Sequence, residues 1–162
     1  MNKEELINLL KNHLENKAKL NIKLKDLKLA RIELDHLKDT DNYETNITAS
    51  YGENQDIHSK NQISNKILKI IEKKDIRRTE LEEKISKLEE EVRELRTKVD
   101  IVEDRLKGLK YKEREILTAY YVEGRTAEDI GNKLYFQLFS QTRSDRHIQR
   151  IIDKATQKML NL

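Results

Sequence analysis

Apolar side chains recur at intervals of three and four residues along most of this chain, which is the spacing of one face of an α-helix. Leucines follow this spacing near the N-terminus, and a longer stretch in the middle of the chain repeats it. The segment between them is polar and has no period. The pattern predicts an all-α protein with an N-terminal amphipathic helix in residues 1–38, a polar loop in 39–62, a long coiled-coil helix in 63–109 and a helical domain in 110–162.

The stretch from Leu81 to Leu109 has the heptad pattern of a coiled coil, with β-branched residues at most a positions and Leu at most d positions. That combination is typical of parallel two-stranded coiled coils. In a parallel homodimer, the g and e positions of the two copies would form four attractive pairs: Arg77–Glu82, Lys84–Glu89, Glu91–Arg96 and Lys98–Glu103. We therefore expect a homodimer joined through Leu81, Ile85, Leu88, Val92, Leu95, Val99, Val102 and Leu106.

The same seam admits a second interpretation, in which it receives the chain's own N-terminal helix, folded back through the loop. The two arrangements are compatible, because the folded-back helix could pack on the outside of a central pair. Both therefore stay open at this point.

The C-terminal 50 or so residues have the signals of three shorter helices. The first is predicted over 112–121, and Gly124 stands where a helix end favours a left-handed residue. Thr126 is a candidate N-cap for the second helix, and Gly131 would let another helix approach closely. The third helix begins after Ser144 and is expected to bury Ile148, Ile151, Ile152, Ala155 and Met159.

The outward side of this last helix is basic and polar. Arg and Gln reach guanine and adenine edges in a major groove, and Lys contacts phosphates. The stripe is therefore a candidate DNA-binding surface, although a solvated helix face in so charged a chain would look similar. Its candidate residues are Arg143, Ser144, Arg146, His147, Gln149, Arg150 and Lys154.

The amino-acid composition narrows the range of possible functions. Charged residues make up 39% of the chain, more than the 36% of hydrophobic residues, and residues 107–162 hold 11 basic and 7 acidic side chains, a net of +4. There is no Cys, and the four His have no metal-binding spacing. We therefore expect no enzyme, no catalytic residue, no metal and no cofactor. No apolar run approaches the roughly 18 residues of a membrane span, so a cytoplasmic, nucleoid-associated protein that does not enter membranes is expected.

Taken together, the segments "LKYKEREILTAYYVEGRTAEDIGNKL" and "SDRHIQRIIDKATQKML" resemble the helix-turn-helix of sigma factor region 4 and related response-regulator-type domains. The closer resemblance is to sigma-like regulators of phages and prophages of Gram-positive bacteria, in the style of the ArpU and RinA late-gene regulators. It covers about residues 107–160. The matching positions are Leu109, Glu113, Arg114, Glu115, Ile116, Leu117, Tyr120, Gly124, Thr126, Glu128, Ile130, Gly131, Leu134, Ser144, Ile148 and Ala155.

The resemblance implies a long helical hairpin or coiled coil followed by a sigma region 4-like helix-turn-helix domain. It implies a transcription regulator that binds double-stranded DNA in a sequence-specific manner, with RNA polymerase as a further candidate partner. Ser144 would cap the recognition helix near a phosphate. The residues implied to face bases are Arg146, His147, Gln149 and Arg150, and those implied to hold the backbone are Arg143 and Lys154.

Residues 135–143 depart from the family pattern, because region 4 connects the corresponding helices in about three residues. We expect this segment to extend the second helix or to pack over the domain. Two other functions fit the same features: a phage DNA-packaging or assembly protein with a helix-turn-helix, and a coiled-coil adaptor whose C-terminal helices bind protein.

Overall fold

The structure is a computed structural model that describes the backbone of residues 1–49 and 57–162 and the side chains of 1–38 and 68–162. Every regular element in these ranges is helical, which confirms the all-α prediction. The helices are α1 Lys3–Lys11, α2 His13–Ala49, α3 Ile57–Lys107, α4 Tyr111–Leu117 with a π-helical turn Thr118–Val122, α5 Ala127–Asp129 with a π-helical turn Ile130–Leu134, α6 Tyr135–Phe139 and α7 Asp145–Asn161.

The helix boundaries differ from the predicted ones in two places. The N-terminal segment is divided at Asn12 into α1 and α2. Helix also continues over residues 39–49 and resumes over 57–62, so the predicted polar loop is wrong there. Neither segment contains Gly or Pro, and the helical backbone therefore persists after the apolar period is lost. The rest of the predicted loop, residues 50–56, lies outside the described part of the chain.

The chain divides into two compact units, and the division falls inside both long helices. The unit formed by residues 22–92 is an antiparallel pair made of the later part of α2 and the earlier part of α3. Arg31 pairs with Glu89 at 2.7 Å, and Glu33 pairs with Arg77 at 2.6 Å. These pairs are half-exposed and therefore screened by solvent, so they define the register of the two helices more than the stability. The buried side chains are Leu27, Ala30, Leu34, Leu81, Leu88 and Val92.

The heptad seam of α3 is thus covered by the chain's own α2. One member of each charge pair expected between two copies is instead paired with α2: Arg77 with Glu33, Glu89 with Arg31, Glu91 with Lys23 and Glu103 with Lys17. Within one copy these side chains line the contact with α2, and the homodimer expected through them stays a prediction. Leu81, Leu88, Val92, Val99 and Val102 are buried, and Ile85, Leu95 and Leu106 are half-buried.

The other unit joins residues 1–21 to residues 93–162. The predicted boundaries separated the N-terminal helix from the C-terminal domain, but α1 lies within the core of that domain. Leu6 and Leu10 are 0% exposed and belong to one apolar cluster with the C-terminal helices. The other fully buried members of this cluster are Val102, Ile116, Leu117, Ile130, Ile148, Ile152, Ala155 and Met159.

Hydrogen bonds in this unit cap the start of α1 and join α3 to α7. The side chain of Asn2 accepts a hydrogen bond from the Glu5 amide at 2.8 Å, and the Glu5 carboxylate accepts one from the Asn2 amide, which is a complete capping box. The Arg105 guanidinium donates to the Met159 carbonyl, which ties the end of α3 to α7. The described residues contain no helix long and apolar enough to cross a membrane.

Candidate nucleic-acid interface

The last helix, α7, buries one face and exposes the other. Ile148, Ile152, Ala155, Thr156 and Met159 are fully buried on the inner side, and Ile151, also expected to be buried, is half-buried. The candidate DNA-binding residues all lie outside the core: Arg143, Ser144, Arg146, Arg150 and Lys154 are exposed, and His147 and Gln149 are half-buried. The predicted inner and outer faces of this helix are therefore confirmed, and the candidate side chains lie together on one surface.

The turn between α4 and α5 contains two local features that the sequence predicted, a glycine at a helix end and an N-cap. Gly124 has φ of 71°, a conformation that L side chains rarely adopt. The Arg125 amide donates to the Ala119 carbonyl at 2.9 Å and closes the turn. The Thr126 hydroxyl accepts from the Asp129 amide at 3.2 Å, so Thr126 is an N-cap as predicted. These contacts define the turn that connects the π-helical end of α4 to α5.

A close backbone contact positions the start of α7. The Arg143 amide donates to the Gly131 carbonyl at 3.1 Å. A Cβ atom at Gly131 would lie 2.2 Å from the Arg143 carbonyl oxygen and 3.3 Å from the Ile148 side chain. The close approach at this glycine is therefore made by the non-helical backbone that leads into α7 and not by a helix, as was predicted. Only glycine leaves room for it.

Ser144 occupies the N-cap position of α7. Its carbonyl accepts the first helical hydrogen bonds, from the His147 and Ile148 amides at 3.0 and 3.1 Å. Its side chain makes no capping hydrogen bond, and the residue is exposed. The Asp145 carboxylate instead accepts from the Arg146 amide at 2.7 Å.

The segment 135–143 extends the second helix, as expected, and then turns sharply. Its first five residues form α6, which is capped by Ser140 with φ of 53°. Tyr135 is only 3% exposed and packs against Phe139, with ring centroids 4.8 Å apart. The added residues therefore place an aromatic pair between α6 and the start of α7.

Lys112 and Tyr135 complete this cluster, and sequence reasoning missed both. The Lys112 ammonium lies 4.5 Å from the centre of the Tyr135 ring and donates to its hydroxyl, and this hydrogen bond lowers the pKa of that hydroxyl. Arg143 lies 5.8 Å from the same ring, and the His147 ring meets it edge-on at 6.3 Å. These residues are separated by up to 35 positions in the chain, so no local pattern connects them.

The electrostatics of this surface are positive. Burial lowers the pKa of His147 below its usual 6.5, and the neighbouring cations Arg143, Lys112 and Arg150 lower it further. His147 is therefore neutral near pH 7, and the positive charge comes from Lys and Arg side chains. Within the described residues, no group of three or more His, Cys, Asp or Glu side chains could hold a metal ion.

Comparison with known protein families, with curated proteins and with solved structures found no match to this chain.

Proposed function

We propose that this protein is a sequence-specific DNA-binding transcription regulator, with α4 to α7 forming a sigma region 4-like helix-turn-helix of the kind encoded by phages and prophages. The observation that carries the proposal is the two-sided character of α7: its inner face is fully buried, and its outer face exposes Arg146, Arg150 and Lys154 beside Arg143. An α-helix with side chains is about 10–12 Å wide, which matches the roughly 12 Å width of a major groove.

The side chains on this face have the chemistry that base recognition needs. Arg146 and Arg150 can donate two hydrogen bonds to one guanine, and Gln149 can bond an adenine in the same bidentate way. Arg143 and Lys154 supply phosphate contacts that set the position of the helix. The exposed Ser144 hydroxyl, which makes no capping hydrogen bond, is a further donor to the DNA backbone.

In this proposal the later part of α2 and the earlier part of α3 form a helical hairpin. Two copies on paired half-sites would bind more tightly than one, through effective concentration. RNA polymerase is the second proposed partner, since it follows from the region 4 resemblance.

The test is selection of fragmented DNA from the source genome by the full chain. We compare the wild type with an Arg146→Ala/Arg150→Ala variant and with Lys84→Ala/Lys87→Ala, which removes the same charge from exposed positions of α3. We expect the wild type and the α3 variant to enrich one discrete DNA site, and we expect the α7 variant to show no such enrichment. Weak enrichment without sequence preference, equal in all three proteins, would contradict the proposal.

A second candidate function is a helical adaptor that binds protein instead of DNA. The observation that favours it is a set of exposed apolar side chains on α2, on the side opposite to its buried leucines: Leu14, Ile22, Leu29 and Ile32. An adaptor would keep its function after Arg146→Glu/Arg150→Glu, whereas a DNA-binding regulator would lose it. Charge reversal therefore separates the two functions.

A further inference from the structure

The exposed face of α7 has two edges of different chemistry. His147, Arg150 and Lys154 follow one another at helical spacings of three and four, so they share one edge. Arg146, Gln149, Asp153 and Gln157 share the other edge by the same spacing. The first edge has no acidic residue, whereas the second includes the exposed carboxylate of Asp153.

Contacts show which element borders the first edge. The Lys158 ammonium, one turn beyond Lys154, pairs with the Glu113 carboxylate of α4. The neighbouring α4 residue, Lys112, holds its ammonium over the buried Tyr135 ring, and Arg143 and His147 approach the same ring. Helix α4 thus adds a cation to the basic edge of α7.

We infer that Lys112 joins Arg143, Arg150 and Lys154 in a cationic ridge that binds DNA backbone phosphates, while the opposite edge, with Arg146 and Gln149, reads bases. Tyr135 is a positioning residue, because its ring and hydroxyl hold the Lys112 ammonium. The inference rests on the proposed function and refines it. Lys112 gains a role, and Arg150, given above as a candidate for base contact, is assigned to phosphates instead. His147 lies on the same edge as a hydrogen-bonding group.

Two physical arguments favour this division. Phosphate attraction is strongest where cations face no unpaired carboxylate. The Glu113 carboxylate beside the ridge is paired with Lys158, whereas the exposed Asp153 carboxylate on the other edge would repel a phosphate. Lys112 and Lys154 are point charges suited to phosphates, whereas the Gln149 amide on the other edge matches the edge of an adenine. The hydrogen bond and the ring contact at Tyr135 also reduce the number of conformations available to Lys112 before DNA binds.

The test measures the salt dependence of binding to a fluorescein-labelled random-sequence duplex of 24 base pairs. The variants are Lys112→Met, Lys112→Arg, and Lys87→Met as a charge-matched control on α3. Each phosphate contact contributes about 0.9 to the slope of log K against log salt. We expect Lys112→Met to lower that slope by about 0.9 and to weaken binding about fivefold at 0.15 M salt. Lys112→Arg and Lys87→Met should keep the wild-type slope.

The same variants are then measured on the site selected from genomic DNA. Lys112→Met should weaken the selected site and the random duplex by equal factors, whereas Arg146→Ala/Gln149→Ala should reduce the ratio between them. A wild-type slope in Lys112→Met, or a reduced ratio, would overturn the inference and leave the proposed function in place. Absence of salt-dependent binding by the wild type would overturn the proposed function itself. Thermal unfolding checks each variant, and Lys112→Gln replaces Lys112→Met if the latter does not fold.

Discussion

Replacing Leu10 by Ala tests whether α1 packs against the C-terminal helices that are proposed to bind DNA. Leu10 is 0% exposed and belongs to the same apolar cluster as Ile116, Ile148 and Met159. Removing a fully buried Leu side chain costs its transfer free energy and leaves a cavity, about 2–5 kcal/mol together. The matched control is Leu14→Ala on α2, where the side chain is 56% exposed and the expected change is within about 0.5 kcal/mol.

The assay is urea unfolding of the full chain, followed by circular dichroism, with DNA binding measured on the same samples. We expect the free energy of unfolding to fall by at least about 2 kcal/mol in Leu10→Ala and DNA binding to weaken at temperatures where the unit begins to open. Equal stability of the two variants would refute the packing of α1 against the C-terminal helices. Deletion of residues 1–11 should have the effect of Leu10→Ala in a stronger form.

Three further predictions follow from other contacts. Gly131→Ala should destabilise the protein and weaken DNA binding, because the added Cβ atom would lie 2.2 Å from the Arg143 carbonyl oxygen. Differential scanning calorimetry measures the stability, and fluorescence anisotropy measures the DNA binding. The free energy of unfolding should fall as the pH drops below 6.5, because burial lowers the pKa of His13 in the folded state and the unfolded state then binds more protons. Urea unfolding at pH 7.5 and 5.0 measures this loss, which should be smaller in His13→Gln than in the wild type. Leu88→Ala should lower the melting temperature equally at 2 and 200 μM protein (about a hundredfold range), because the seam is intramolecular; a concentration-dependent melting temperature would show that copies associate through it.

The helical content and the faces of α7 could be predicted because they follow from local rules. The spacing of Ile148, Ile152 and Met159 fixes the inner face, and the turn at Gly124 and the cap at Thr126 each depend on a few neighbouring residues. No knowledge of distant parts of the chain was needed for any of them.

The sequence could not show which helix faces pack against one another. The seam charges of α3, such as Glu89, attract a second α3 and the chain's own Arg31 equally well, so periodicity and charge did not choose between a dimer and an intramolecular pair. Leu6 and Leu10 have the spacing of any amphipathic helix and carry no sign that their partner lies more than 100 residues away. The pairing of Lys112 with Tyr135 was missed for the same reason.

The central claim is that the outer face of α7 reads DNA sequence. The most direct measurement is the ratio of two affinities at 0.15 M salt, for the fragment selected from genomic DNA and for a random duplex of equal length. We expect a ratio of about 10³ or more for the wild type. Each lost base contact costs about 1–3 kcal/mol, so Arg146→Ala/Arg150→Ala should reduce this ratio at least about tenfold. A wild-type ratio near one, or a ratio unchanged by the double substitution, would contradict the account.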